Sequence, residues 1–519
     1  MPRQYLSILG LAISVAILAT GCLEKPKREA PAPVQVDVRY RIPDAPPPPI
    51  RPPSVPGFYA FDVLQDAVIT DLNGVSSDIE RQDLRYADGC DRFNAGEELA
   101  EFKRGFDKAL NHLSTEIDPV PSVAIGAAEC IFRYRLSDYG IDLSEYRLIE
   151  DRTALQEPRE GCTIADIRTG YCTGQLTNIS TRGLTIQALT QTLRPVLNAD
   201  DIILAATEAD QITDHGGTTY YDIIEQQFRR IDFLANENIN IQQQFDDRTA
   251  TFGGVNDSGV ARGGRLIVNL ESINGRTRYS EDSSNVDSDN INLNPFIPEA
   301  TTALRDGDIV RIDRSGNEFN VVAREYIGDL PNGCIWFRIE DAALDLAVSV
   351  VPITVASSGR HDFAGIDSQI RPGMCMDCHE NSIQPWTDTL SRHIQNTPAF
   401  NSDQKTIATD FINPVRINQY QRQVASSYAR RCLEPLGISP GTRDPTNARL
   451  LNPLRDEVTI REAAGKFRLT PQQYLACLDG SQVGPALLGS HLEGGTVSLA
   501  DFAEAYPIVI EECNLFEDS

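Results

Sequence analysis

Basic residues are in short supply: 47 Lys and Arg face 74 Asp and Glu, a formal charge of −27, with an isoelectric point near 4.6. A surface of that sign repels phosphate backbones, which argues against nucleic acid as a partner. It also repels acidic lipid headgroups, so any hold on a membrane needs an apolar or covalent anchor. Long apolar runs are missing after the first twenty or so residues, and no later segment is long enough to span a bilayer. Methionine is scarce, with three in 519 residues, as is tryptophan, with two. No P-loop lysine accompanies Gly253-Gly254 to Gly263-Gly264, which reads as a turn-rich loop. No Gly or Glu completes the calcium-loop start at Asp287-Ser288-Asp289, and no G-x-S-x-G elbow presents a nucleophile. What is present, 41% hydrophobic and 23% charged residues, suits a folded protein of several domains.

The amino terminus offers the anchor. Arg3 gives a short positive start, Leu6 to Leu18 is apolar apart from Ser7, Gly10 and Ser14, and Leu18-Ala19-Thr20-Gly21 leads into Cys22. This run is short for a bilayer span and reads as a signal peptide over residues 1–21. Small residues before a cysteine resemble the lipobox of bacterial lipoproteins, making Cys22 the expected lipidation site of an exported, lipid-anchored chain. Leu23 follows in place of Asp, which by lipoprotein sorting points to the outer membrane, facing the periplasm. Residues 22–57 carry eleven prolines between Pro26 and Gly57. They read as a stiff tether reaching up to about 90 Å at about 3 Å per residue.

The folded part is expected to be α+β. Residues 58–370 mix both periodicities. Leu99, Phe102, Phe106, Leu110 and Leu113 form a helical stripe, on which His112 falls between the apolar positions and is expected to face solvent. Arg265 to Leu270, Asp308 to Asp313, Phe319 to Ala323 and Ile335 to Ile339 read as strands, and polar Tyr279 to Asn292 as a surface loop. Over residues 371–519 strand signals fade, and Thr459 with Glu462, and Thr470-Pro471 with Gln473, mark helix starts. Their spacing resembles a helix-turn-helix, but on an anionic exported chain it is ordinary helix packing. The expected architecture is an N-terminal mixed α/β domain followed by an all-α C-terminal domain.

That C-terminal region holds Cys375-Met376-Asp377-Cys378-His379, the C-x-x-C-H attachment signature of a c-type haem. Two thiols one helical turn apart can each add to a porphyrin vinyl group, and the next residue then stands ready to ligate iron. From this chain's own Cys and His frequencies the pentapeptide is expected about 0.003 times by chance. A thiol redox pair would leave His379 without a role, and a zinc site lacks a second ligand pair at short range. Cys375 and Cys378 are therefore the expected covalent attachment points of one haem c, with His379 the proximal iron ligand. Met1 leaves with the signal, and Met374 and Met376 flank the thiols, so no downstream methionine can ligate. The iron is left with two histidines, with His379 and a rarer donor, or with one side open. His393 is the nearest candidate for the distal position; His361, His112, His215 and His491 are alternatives. Two histidines would lower the reduction potential relative to a His/Met pair. Trp386 and Phe400 are candidates to pack on the porphyrin or in the core.

Setting aside Cys22, Cys375 and Cys378, eight cysteines remain: Cys90, Cys130, Cys162, Cys172, Cys334, Cys432, Cys477 and Cys513. In an oxidising compartment they allow up to four disulfides. Cys162 with Cys172, and Cys432 with Cys477 or Cys513, are the pairings the spacing suggests.

From about Leu84 to Phe502 the sequence resembles a family of large, secreted, functionally uncharacterised bacterial lipoproteins that carry one cytochrome c signature behind a long mixed domain. The likeness rests on Phe93-Asn94-Ala95-Gly96, Asp138-Tyr139-Gly140, Asn256-Asp257-Ser258-Gly259-Val260 leading to Arg265-Leu266-Ile267, and Leu330-Pro331-Asn332-Gly333. The haem motif and Gly494-Gly495-Thr496-Val497 complete it. It implies export and haem binding, makes the C-terminal domain cytochrome c-like, and implies no substrate. The expected function is one-electron transfer by a periplasm-facing monohaem lipoprotein, its acidic surface steering a redox partner protein with a basic face. The alternatives are an open-site haem enzyme or sensor, peroxidase-like in chemistry, and an envelope interaction protein in which haem is accessory.

Overall fold

The computed structural model describes residues 61–94, 99–153, 172–173, 178–179, 181–200, 202–203, 219–255, 265–283 and 321–348. Towards the C-terminus it describes 372, 375–379, 382–383, 385–388, 390–396, 402, 405–406, 412–440, 457–481, 484–498, 501–502, 505–506 and 508–509. Residues 1–21, expected to be a signal peptide, Cys22, the expected tether, His215, His361 and Phe400 lie outside the described residues.

Two sheets organise the chain. In the first, β1 (Leu84–Asp88) lies between β3 (Ile131–Arg135), antiparallel to it, and β6 (Val196–Asn198), parallel to it, with β2 (Val123–Ile125) on the far side of β3. All five residues of β1 are buried, as a strand covered on both faces requires. Helix α1 (Phe61–Gly74) places Leu64, Val68 and Leu72, four residues apart, on one side. On the other side α2 (Leu99–Asn111) sets Phe102 and Phe106 against Phe132, at 5.8 and 5.6 Å between ring centres. The Cys90–Cys130 disulfide ties the chain after β1 to the chain before β3. A two-residue pair, β4 (Cys172–Thr173) with β5 (Asn178–Ile179), stands apart.

The second sheet is an antiparallel meander in which sequence neighbours are also spatial neighbours. Its strands are β7 (Thr251–Val255), β8 (Arg265–Ser272), β9 (Gly275–Ser283), β10 (Val321–Asp329), β11 (Ile335–Asp341) and β12 (Leu346–Ala347). Phe233 stands edge-on to Tyr326 and Trp336 beneath it, at 5.0 and 5.5 Å. Trp336 lies over Gly328, where a Cβ would come within 2.3 Å of the indole. Arg338 is fully buried, bonded to Glu340 at 2.8 Å and to the carbonyls of Gln227 and Phe228. Its planar fork satisfies several acceptors at once.

The C-terminal segments contribute α3 (Cys375–Cys378), α4 (Leu390–Asn396) and α5 (Pro414–Tyr428), which runs on into a π-helical turn, Ala429–Leu433. Asn413 caps α5 by accepting from the amides of Val415 and Arg416, with Pro414 in the first turn where no amide is needed. Beyond them come α6 (Ile460–Lys466), α7 (Pro471–Gly480) and α8 (Gly484–Leu492). Thr459 with Glu462, and Thr470 with Gln473, both form reciprocal capping boxes, as their spacing predicted.

The expected division into a mixed domain and an all-α haem domain is wrong. Met376, Ile383, Ile417, Val424, Tyr428 and Cys432 share one hydrophobic core with Leu266, Val268, Trp336 and Phe337 of the six-stranded sheet. The far C-terminal part has its own small core, and it is not all-α either, since β13 (Glu457–Val458) pairs with β14 (Val497–Ser498). Helical periodicity identifies a stripe that must be covered, but not which element covers it; here strands from much earlier in the chain do so.

Other expectations also change. Tyr279 to Ser283 belong to β9, where Tyr279 is buried 4.8 Å from Tyr326, and not to a surface loop. Gly253 and Gly254 are strand residues of β7. The missing Cβ of Gly253 admits Trp386, which would approach it to 2.7 Å. Predicted strands at Arg265 to Leu270 and Ile335 to Ile339 coincide with β8 and β11. That at Phe319 to Ala323 overlaps β10, and Asp308 to Asp313 lies outside the described residues. Cys432 pairs with Cys334, not with Cys477 or Cys513. Cys477 is itself disulfide-bonded, and Cys162 and Cys513 lie outside the described residues.

Candidate haem-attachment site

Cys375 opens α3 and Cys378 closes it, so one helical turn separates the two positions. The turn continues into His379, whose amide donates to the Cys375 carbonyl at 3.0 Å, and the chain then bends so that the Ser382 amide donates to the His379 carbonyl at 3.0 Å. Cys375 is half-buried and packs against the main core, in which Met376 is fully enclosed.

The His379 imidazole is buried and lies 5.6 Å from the Phe337 ring of β11. Its Nδ1 is 3.1 Å from the Ser382 carbonyl. A carbonyl can only accept, so the proton sits on Nδ1 and the lone pair is on Nε2, the tautomer that a metal-ligating histidine needs. Burial pushes the imidazole down to about 4; the Arg278 guanidinium adds to this and Glu325 partly opposes it. The ring is therefore neutral at physiological pH. Behind it Glu325 of β10 bonds Arg265 at 3.0 Å and accepts from Ser280 at 3.3 Å. Burial works against the Glu325 carboxylate, but the Arg265 and Arg278 charges outweigh it and hold the carboxyl below its usual range. Two thiol positions on one turn, followed by a neutral imidazole with Nε2 as lone-pair donor, fit a covalently attached haem.

His393 lies on α4, which packs beside β7; its imidazole is outside the described residues. Trp386 is packed against the main core over Gly253, and the Gly254 amide donates to Asp388 at 2.9 Å, so the stretch after the motif is docked on β7.

Two other histidines are committed elsewhere. His112 was expected to face solvent and is instead completely buried. Helix α2 is covered on two sides, by the first sheet and by the π-helical turn, so a position outside the apolar stripe is still internal. Its Nδ1 is 2.7 Å from the Lys108 carbonyl and its Nε2 3.2 Å from the Tyr428 hydroxyl. His491 likewise meets the Tyr474 hydroxyl and the Val458 carbonyl, both at 2.7 Å. With both nitrogens of each ring bonded, neither residue is placed to ligate a distant iron.

His112, Cys334 and Cys432 bring three donor atoms within 4.8 Å of one another. The two sulfurs are bonded to each other, however, which leaves no thiolate pair for a metal. Sequence reasoning did not find Ser382, Phe337, Glu325, Arg265 or Arg278 as neighbours of His379. Apart from Ser382 they lie 40 or more residues upstream on strands whose order only the fold reveals. No described helix is long and apolar enough to cross a membrane. In comparisons with protein-family models, curated proteins and solved structures, no match was found for this chain.

Proposed function

We propose that the chain is an exported monohaem c-type cytochrome, lipid-anchored through Cys22, whose work is one-electron transfer. The carrying observation is the pairing of C-x-x-C-H on a single turn with the Nδ1–H of His379 committed to the Ser382 carbonyl. Haem c supplies the Fe(III)/Fe(II) couple when bound. Cys375 and Cys378 hold it by thioether bonds, and His379 presents Nε2 to the iron in an orientation fixed by the Ser382 carbonyl. Phe337, 5.6 Å from the His379 ring, supplies an apolar wall that limits water on that side. The net charge of −27 favours a partner with a basic face, in an encounter weakened by salt.

Because His112 and His491 spend both nitrogens within the fold, the distal donors are few. This supports a second reading, an open-sided haem enzyme or sensor. Expression in a host with c-type haem maturation separates the readings. The first expects a coloured protein with the mass of one haem added, lost in Cys375→Ala/Cys378→Ala, and a low-spin spectrum that His393→Ala converts to high-spin. A high-spin ferric spectrum and cyanide binding in the parent protein would favour the second. A colourless chain without added mass refutes both.

A further inference from the structure

Between the β8–β9 turn, the end of β10 and helix α5 lies a cleft of 740 Å³ that the haem reading does not use. Arg276 of β9, Arg422 of α5 and Arg430 and Arg431 of the π-helical turn all line it, against the carboxylates of Glu271 and Asp329. In a chain of −27 such a concentration of guanidinium groups is against the trend. Among the described residues none of the four lies within 4.0 Å of a carboxylate oxygen. Arg276 stands 5.6 Å over the Tyr420 ring, Arg430 donates to the Ser426 carbonyl at 3.2 Å and Arg431 to the Pro331 carbonyl. Their charges are thus available to an incoming anion. The π-helical turn, which puts Arg430 and Arg431 beside the cleft, is a rare local geometry that recurs at functional sites.

A second observation points to the ligand's other half. Asp329 is 4% exposed; its Oδ2 accepts from the Arg276 amide at 3.1 Å, while its Oδ1 is buried without a hydrogen-bond partner. The Ser272 hydroxyl in the same cleft is also buried and unpartnered. Such groups cost stability unless something else satisfies them. Gly275, at φ +147°, makes the arrangement accessible, since a Cβ there would come within 2.4 Å of Asp329 Oδ2.

We infer that this cleft binds a small organic anion that also carries a hydroxyl group: its anionic groups meet Arg276, Arg422 and Arg430, and its hydroxyl donates to Asp329 Oδ1. Guanidinium forks match carboxylate and phosphate alike, and the volume suits a metabolite-sized ligand. The inference is independent of haem attachment.

Isothermal titration of the full-length protein with citrate, tricarballylate and glycerol 3-phosphate tests it. Citrate and tricarballylate differ only by the hydroxyl. Saturable binding of citrate, about tenfold or more weaker for tricarballylate, is expected. Arg422→Ala and Arg430→Ala, both at exposed positions that folding tolerates, should each weaken it about tenfold or more. Glycerol 3-phosphate binding more tightly than citrate would assign phosphate as the anionic group and still support the site. No saturable heat with any of the three up to about 10 mM, or affinities unchanged in both arginine variants, would overturn the inference. Equal affinity for citrate and tricarballylate would overturn the hydroxyl contact to Asp329.

Discussion

Acid should unfold this protein in part through one histidine that lies in no site. His112 is fully buried; its Nδ1–H donates to the Lys108 carbonyl at 2.7 Å and its Nε2 accepts from Tyr428 at 3.2 Å. Burial, with the nearby Lys108 charge, pushes the imidazole from its ordinary 6.5 down to about 3. The folded value lies below the unfolded one, so on acidification the unfolded chain takes up the extra proton. The stabilisation is complete above pH 6.5 and is lost as pH falls towards 3. Linkage between those two values removes about 2 kcal/mol by pH 5 and nearly nothing at pH 8. His112→Gln keeps a neutral donor and acceptor but does not titrate. Urea unfolding of parent and variant from pH 8 to pH 5 isolates the residue, because every other titrating group cancels in the difference. The stability gap between the two proteins should move by about 2 kcal/mol in favour of Gln as pH falls. A gap constant to within about 0.5 kcal/mol would refute the claim that this imidazole is neutral because it is buried.

Glu237 should behave with the opposite sign: burial, partly offset by Arg338, pushes it up to about 7, so its contribution is present below pH 4.5 and lost as pH rises through 7. Glu237→Gln should accordingly raise stability by about 3 kcal/mol at pH 8 and leave it nearly unchanged at pH 4, as read from denaturant midpoints. The Cys334–Cys432 disulfide spans 98 residues and links the β10–β11 turn to the π-helical turn. Replacing both cysteines by Ala should cost about 2 to 5 kcal/mol, measured against the parent in guanidinium. Arg468 pairs with the buried Asp88 of β1 and, with Lys466 on Asp91, ties the far C-terminal core to the first sheet. Arg468→Met should cost about 3 to 5 kcal/mol, because it strands a buried carboxylate; a smaller loss in Arg468→Met/Asp88→Leu would confirm that cause by double-mutant cycle.

Local rules alone determined the parts of this protein whose physics is local. The capping boxes at Thr459 and Thr470 need only residues three apart, and the Phe102, Phe106 and Leu110 stripe only one helix. The C-x-x-C-H spacing likewise needs only one helical turn to set Cys375 and Cys378 one turn apart with His379 next in the chain. Tertiary structure decided everything that depended on what faces what. It buried His112 by covering α2 from two sides, gave Cys432 a partner 98 residues upstream, and drew Tyr279 into a strand because Tyr326 waits on the next one. It merged the segments carrying the C-x-x-C-H motif with the six-stranded sheet, where periodicity had suggested a separate helical domain. The arginine cleft shows the same division. Arg276, Arg422 and Arg430 are far apart or unremarkable in sequence, and they become one positive surface only when β9 and the π-helical turn meet across α5. Burial and electrostatics act through space, and a chain read in order carries no measure of distance between residues that folding alone brings together.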